Sequence, residues 1–269
     1  MIDVKMEDIV DIAARAGDVI MEIYKKDFVV TYKNDDSPLT EADKKSNKII
    51  CSRLKETYPD IPIISEENKE IPYETRKNWE YFWLIDPLDG TKEFVKKTGE
   101  FTVNIALIEK NRPIMGVIYA PTLNLSYYAE KGKGAFKKYE NGRNYKLPLH
   151  NIQPDDILKV ISSKSHSNIE TENFINNLSK QYKEVELLSI GSSLKICLVA
   201  EGTADIYPRF GPTMEWDIAA GDIIASESDK KLLKYEDGKV LNSFWYNKED
   251  LVNGWFVVKD KDFGSVLAP

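Results

Sequence analysis

The sequence predicts a mixed α/β protein with helices and sheet in layers, on three observations. An amphipathic pattern of helical period opens the chain, closely spaced apolar strands follow Phe101, and strands and helices alternate from Leu158 onward. At 269 residues, 42% hydrophobic and 30% charged, the chain can bury a substantial core as one large or two modest domains. No apolar stretch approaches the roughly 20 residues of a membrane span.

Asp8 to Lys25 places Ile9, Ile12, Ala13, Ala16, Ile20 and Ile23 on one helical face. Thr40 reads as the N-cap of a second helix that runs toward Tyr58 and stops at Pro59. Asp43, three residues after Thr40, would ordinarily be its capping-box partner. Ile61 to Ser65 is a short strand ending in Glu66-Glu67. Tyr81-Phe82-Trp83-Leu84-Ile85 is a buried strand that delivers Asp86 and Asp89 into a tight Pro/Gly turn. Thr102 to Ile108, Ile114 to Ala120 and Leu125 to Ala129 form a meander, turning at Asn111-Arg112-Pro113 and Pro121-Thr122-Leu123-Asn124. The polar stretch from Glu140 to Pro154 is the expected boundary between an N-terminal α+β half, 1–145, and a C-terminal α/β half, 146–269. In that second half Leu158 to Ser162, Val185 to Ile190 and Ala204 to Pro208 read as strands. Ile169 to Gln181, Ser192 to Ala200 and Ile218 to Ser226 read as helices, and Lys231 to Val240 and Trp255 to Lys259 close the sheet.

A formal charge of −7 disfavours nucleic-acid binding. The N-terminal residues Met1 to Glu7 lack the pattern of a signal peptide. Cys51 and Cys197 are too few for a disulfide framework, so a cytoplasmic protein is expected.

The chemistry centres on Asp86-Pro87-Leu88-Asp89-Gly90-Thr91. Carboxylates and main-chain carbonyls are hard oxygen ligands of the kind Mg²⁺ takes, and Gly90 and Thr91 can offer backbone N–H groups to a phosphate. Glu66 follows one strand, Asp86 follows another, and Asp217 begins the helix containing Ile218 to Ile224. In an α/β sheet such positions converge at the carboxyl ends of the strands. Taken singly, these residues read as a capped turn, a solvated loop and an N-cap. Taken together, the four carboxylates would repel unless a cation balanced them. The two histidines, His150 and His166, and the two cysteines stand in no convincing nucleophile setting, so direct attack by water is expected.

The segments Ile64-Ser65-Glu66-Glu67, Trp83-Leu84-Ile85-Asp86-Pro87-Leu88-Asp89-Gly90-Thr91-Lys92-Glu93-Phe94 and Glu215-Trp216-Asp217-Ile218-Ala219-Ala220-Gly221 resemble the lithium-sensitive, Mg²⁺-dependent inositol monophosphatase superfamily. The resemblance runs from about Ala13 to Ala225. It implies an α-β-α-β-α sandwich with two or three Mg²⁺ held by Glu66, Asp86, the Leu88 carbonyl, Asp89 and Asp217, residues that also bind substrate through the metal. It implies that Asp43 and Thr91 orient and activate the attacking water, and that Gly90 and Thr91 donate to the scissile phosphate. Glu66 stands with the catalytic residues as well as with the ligands.

Lys92-Glu93-Phe94 is similar to the bisphosphate nucleotidase branch, where inositol monophosphatases typically carry a Thr-Asn-Phe-like continuation. Ser162-Ser163-Lys164-Ser165-His166, Gly191-Ser192-Ser193-Leu194-Lys195 and Tyr207-Pro208-Arg209-Phe210 resemble that branch's substrate-side segments. They offer His166 and Ser192 to the nucleotide, with Lys195 and Arg209 gripping a second phosphate. Ser226 to Lys231 departs from the small, Gly-containing segment of many relatives, which puts the local turn or the pocket rim in question. The resemblance implies a small-molecule bisphosphate nucleotide substrate, 3′-phosphoadenosine 5′-phosphate, cleaved to AMP and phosphate. An inositol or sugar phosphatase acting on a substrate such as fructose 1,6-bisphosphate is the alternative. A non-catalytic Mg²⁺-dependent ligand-binding or regulatory protein is the alternative of another class, opposed by the intact motif set.

Overall fold

The computed structural model describes residues 2–32, 38–150, 157–162 and 168–261. Helix α1 (Met6–Tyr24) buries Ile9, Ile12, Ala13, Ala16 and Ile20, the face set by its 3.6-residue period. Strands β1 (Val30–Tyr32) and β2 (Pro38–Thr40) pair as a small ribbon leading into α2 (Glu41–Thr57). Ala42, Ser46, Ile50 and Leu54, four apart, form the buried stripe of α2.

A seven-stranded sheet follows, in spatial order β3 to β9. Its members are β3 (Ile63–Ser65), β4 (Tyr81–Asp89), β5 (Thr102–Glu109), β6 (Arg112–Ala120), β7 (Leu125–Glu130), β8 (Gly134–Tyr139) and β9 (Asn144–Lys146). Short helices α3 (Tyr73–Arg76) and α4 (Thr91–Val95) flank β4. β3 and β4 run parallel and the other pairs antiparallel. Trp83, Ile85, Ile105, Leu107 and Val117 face α1 and α2, whereas Phe82, Leu84, Ala106, Ile108 and Ile118 face the opposite layer. Covering both faces explains the near-continuous apolar runs of β4 and β5.

The second sheet has six strands in the order β11-β10-β12-β17-β14-β15. The chain supplies them through β10 (Ile157–Ser162), α5 (Ile169–Leu178), β11 (Glu184–Ser189), α6 (Leu194–Glu201), β12 (Ile206–Arg209), β13 (Thr213–Met214), α7 (Glu215–Ser226), β14 (Lys230–Glu236), β15 (Lys239–Ser243), β16 (Val252–Asn253) and β17 (Phe256–Asp260). β13 and β16 form a separate ribbon. Helices α6 and α7 lie between the sheets: Ile196, Ile218, Ala219 and Ile223 share one core with Ile118 of the first sheet and Tyr207, Phe256 and Val258 of the second. On the far face Leu158, Val160, Ile206 and Val257 meet Phe174 and Leu178 of α5. The layers are therefore α-β-α-β-α, as the family resemblance implied. A Cβ on Gly116 would lie 2.5 Å from Ile223 Cγ2 and 2.8 Å from the Ala220 carbonyl oxygen, so glycine permits α7 to approach β6.

Several boundaries differ from the local pattern. β4 does not end at Ile85 but continues to Asp89, with Asp86 opposite Asn104 and Asp89 opposite Thr102. One extra residue is thereby inserted on β4, and this bulge accommodates Pro87, which has no N–H to give a ladder. Asp217 is the third residue of α7, not its N-cap. Lys231 to Val240 is not one strand but a hairpin turning at Asp237-Gly238, both at positive φ. β9 lies within the expected 140–154 boundary and pairs with β8. Among the described residues no helix is long and apolar enough to cross a membrane.

Candidate active site

Parallel pairing of β3 and β4 sets Glu66 beside Asp86: the Glu66 N–H donates to the Ile85 carbonyl at 3.2 Å. The β4 bulge then presents Asp89, and the first turn of α7 brings Asp217 to the same place. The carboxyl of Asp86 stands well above the ordinary carboxylate range because it is buried and faces the charges of Glu66, Asp89 and Asp217. Burial, and then the charge of Asp89, likewise pushes Asp217 well up. Burial also raises Asp89, opposed by the Lys195 ammonium and the Ser193 N–H.

Each aspartate gives one oxygen to a backbone N–H. Asp86 Oδ1 accepts from Leu88 at 3.0 Å, Asp89 Oδ2 from Ser193 at 2.5 Å and Asp217 Oδ2 from Met214 at 2.8 Å. Such bonds orient a carboxylate while leaving its other oxygen for a cation. The Ser46 hydroxyl donates to the Pro87 carbonyl at 2.7 Å and fixes the bulge that displays the Leu88 carbonyl. Among the described residues no three His, Cys, Asp or Glu side chains close into a ready-made metal cage. The carboxylates are close neighbours, Glu66 hydrogen-bonded to Asp86, and their acceptors are hard oxygens only. That donor set and its excess negative charge fit a hard divalent cation such as Mg²⁺.

Asp43 serves two elements at once. Its Oδ2 accepts the Thr40 N–H and hydroxyl, each at 2.7 Å, so the capping box forms. Its Oδ1 accepts the Thr91 hydroxyl at 3.1 Å. Burial raises the Asp43 carboxyl, and the hydrogen bonds from Thr40 and Thr91 oppose that rise. Thr91 Oγ1 also lies 3.2 Å from the Leu88 carbonyl oxygen, so its single proton is engaged and the oxygen is left to act as an acceptor. Gly90 sits at φ 91°, and a Cβ there would come 3.0 Å from the Glu100 carbonyl oxygen. Because α4 has only 5 residues, Gly90 and Thr91 contribute individual N–H groups more than a helix dipole.

A cavity of about 130 Å³ opens beside the carboxylates, lined by Asp89, Gly90, Ser192, Lys195, Arg209 and Asp217. Lys195 Nζ stands 5.8 Å from the centre of the Tyr207 ring. Its pKa is lowered by burial and by Arg209, while Asp89, Glu93 and Glu100 resist that fall. Arg209 Nη2 donates weakly to the Pro212 carbonyl at 3.4 Å, and its buried Nε has no partner among the described residues. Ser192 adopts a positive φ of 52° at the cavity wall, in a turn tied down by the Gly191 N–H to Glu100 Oε2 bond of 2.8 Å. His166 lies outside the described residues, as does most of its segment. Within Ser226 to Lys231, Glu227 accepts from the Gly132 and Gly134 N–H groups, each at 2.9 Å, and none of these six residues lines the cavity. The departure thus shapes a local turn.

Thr102 and Asn104 carry one sequence signal, polar side chains two apart at the start of an otherwise apolar strand, whereas the sequence shows Ser193 only as part of the Gly191 to Lys195 segment, with no role of its own.

The inositol monophosphatase family model matches residues 4–254. The chain is 44% identical over 255 residues to the 3′(2′),5′-bisphosphate nucleotidase CysQ of Salmonella typhimurium, covering 94% of this chain and 98% of that protein. It is 42% identical over 253 residues to CysQ of Buchnera aphidicola, with 93% and 92% covered. The crystal structure of CysQ from Bacteroides thetaiotaomicron superposes with a TM-score of 0.83 at 42% identity, covering 95% of this chain and 97% of that one. Layer order, the family model and similarity across nearly the whole length agree: the chain belongs to the inositol monophosphatase family.

Proposed function

We propose that this protein is a Mg²⁺-dependent phosphomonoesterase of the cytoplasm that hydrolyses 3′-phosphoadenosine 5′-phosphate to AMP and phosphate. The observation that carries this reading is a single cavity with an anionic pole, Asp89 and Asp217, and a cationic pole, Lys195 and Arg209. A monophosphate needs only the first pole; a bisphosphate uses both. The relatives named 3′(2′),5′-bisphosphate nucleotidase support the same substrate class.

Glu66, Asp86, the Leu88 carbonyl, Asp89 and Asp217 would hold two or three Mg²⁺. Bound there, the ions would supply water activation and charge neutralisation, which phosphate-monoester hydrolysis needs together. Thr91 accepts a hydrogen bond from the attacking water and aligns it, with Asp43 fixing the Thr91 rotamer through Oδ1. Glu66 adds a further carboxylate on the water's side. The N–H groups of Gly90 and Thr91 hold the scissile phosphate, and Lys195 and Arg209 hold the other. Ser192 and His166 are assigned to the nucleoside side. Cys197 is unsuited as a nucleophile, because burial and Glu201 push its thiol well above the usual range. The reaction is therefore direct attack by water without a phosphoenzyme.

Initial rates of phosphate release with and without Mg²⁺ test the proposal. Mg²⁺-dependent release with a clear preference for 3′-phosphoadenosine 5′-phosphate over inositol 1-phosphate and fructose 1,6-bisphosphate is expected. Preference for either competitor overturns the substrate assignment, and Mg²⁺-independent release overturns the mechanism.

A further inference from the structure

Beside Asp89 lies a buried triangle of oxygens. Ser193 Oγ is 2.7 Å from Thr102 Oγ1 and donates to Asn104 Oδ1 at 2.8 Å, while Thr102 Oγ1 lies 3.1 Å from the same Asn104 oxygen. Thr102, Asn104 and Ser193 are 0%, 1% and 4% exposed. Two hydroxyl protons serve three contacts, and Asn104 Nδ2 has no partner among the described residues. Such a cluster stabilises a core poorly, because apolar groups of the same shape would avoid the desolvation cost of the orphaned donor. Its position offers another reason for it. Thr102 stands opposite Asp89 and Asn104 opposite Asp86 in the β4–β5 ladder. Ser193, reached from the other half of the chain, donates its backbone N–H to Asp89 Oδ2 and precedes α6, which carries Lys195.

We propose that Thr102, Asn104 and Ser193 are positioning residues: the triangle locks the Ser193 N–H onto Asp89 and so fixes the carboxylate for its cation and sets its separation from Lys195. This rests on the reading that Asp89 is a cation ligand. The Ser193 side chain anchors its own backbone to β5, the N–H holds Oδ2, and Oδ1 is left to point at the metal. Removing a hydroxyl lets the Ser193 backbone drift, and Asp89 with it. Partners of this outer kind typically alter metal affinity by about 10–100-fold when removed.

The test is direct Mn²⁺ binding by electron paramagnetic resonance, together with metal-free melting curves, on wild type, Thr102→Val, Thr102→Ser, Ser193→Ala and Asp89→Asn. Thr102→Val is nearly isosteric, and Ser193→Ala keeps the N–H. Each should weaken Mn²⁺ binding about tenfold or more without lowering the metal-free melting temperature. Thr102→Ser should bind as wild type does, and Thr102→Val combined with Ser193→Ala should be no worse than the weaker single variant, because the residues act as one unit. Wild-type affinity in Thr102→Val and Ser193→Ala, alongside loss in Asp89→Asn, would show the triangle to be structural only and overturn the proposal. Unchanged affinity in Asp89→Asn removes Asp89 from the ligands, and the proposal falls with that reading. If Thr102→Val fails to fold, Ser193→Ala decides.

Discussion

Arg209→Gln isolates the cationic pole. Among the described residues the guanidinium Nε is buried without a partner and Nη2 makes a long 3.4 Å bond, so hydrogen-bonding capacity is left for a phosphate. A charge-assisted hydrogen bond to phosphate is worth about 1.5–3 kcal/mol. At about 1.4 kcal/mol per tenfold change, kcat/KM for 3′-phosphoadenosine 5′-phosphate should fall about ten- to hundredfold. A monophosphate such as 2′-AMP makes no such contact and should change by less than about threefold on the same scale. Lys195→Gln should show the same contrast with one addition. Lys195 opposes the rise of the Asp89 carboxyl, so its removal should also raise the Mg²⁺ requirement for both substrates. The assay is initial-rate phosphate release at saturating Mg²⁺, comparing bisphosphate with monophosphate for each variant. Equal losses on both substrates with Arg209→Gln would refute the second-phosphate role, as would no loss on either.

Thr91→Ala should lower kcat more than KM, Asp43→Asn should resemble it, and steady-state kinetics of the double variant should show strong non-additivity. Additive losses would break the 3.1 Å pairing as a functional unit. Asp222, bonded to the Tyr246 hydroxyl at 2.9 Å, has its carboxyl pushed up to about 6 from 3.8 by burial. The folded state then binds this proton more tightly than the unfolded chain, so stability falls as pH rises from about 4 to about 6 and levels off above, a change of about 3 kcal/mol. Denaturant unfolding at several pH values should show Asp222→Asn lacking that decline, and a pH-independent difference from wild type would contradict it. Gly116→Ala should destabilise by about 1–3 kcal/mol, because the new methyl meets the Ala220 backbone as well as a flexible side chain, and a thermal melt unchanged from wild type would disprove the close approach.

Features written into local pattern were legible in the sequence. The 3.6-residue period gave α1, Thr40 announced α2, and the apolar runs gave the sheet strands. The residues Glu66, Asp86, Asp89 and Asp217 emerged as a group through their places beside strand ends and a helix start and through motif order, since each alone has an ordinary structural use. What depended on pairing between distant segments was hidden. That β4 continues through Pro87 depends on a bulge against Asn104 and Thr102, which no local period encodes. Asp217 falls in the first turn of α7 because the helix begins directly after β13, whose partner β16 is distant in sequence. Ser193 stood inside the Gly191 to Lys195 segment without a role of its own, and only its approach to β5 places it beside Asp89. Asp43 was read both as a capping partner and as a partner of Thr91, and its two oxygens allow both.

The central claim is that one phosphate sits at the carboxylate pole and is cleaved while the other is held by Lys195 and Arg209. Product analysis of 3′-phosphoadenosine 5′-phosphate turnover in ¹⁸O-labelled water by phosphorus NMR and mass spectrometry tests it most directly. The account predicts 5′-AMP free of label and inorganic phosphate carrying one labelled oxygen, formed only with Mg²⁺. Adenosine 3′-phosphate as the product, or label in the nucleoside, would contradict it.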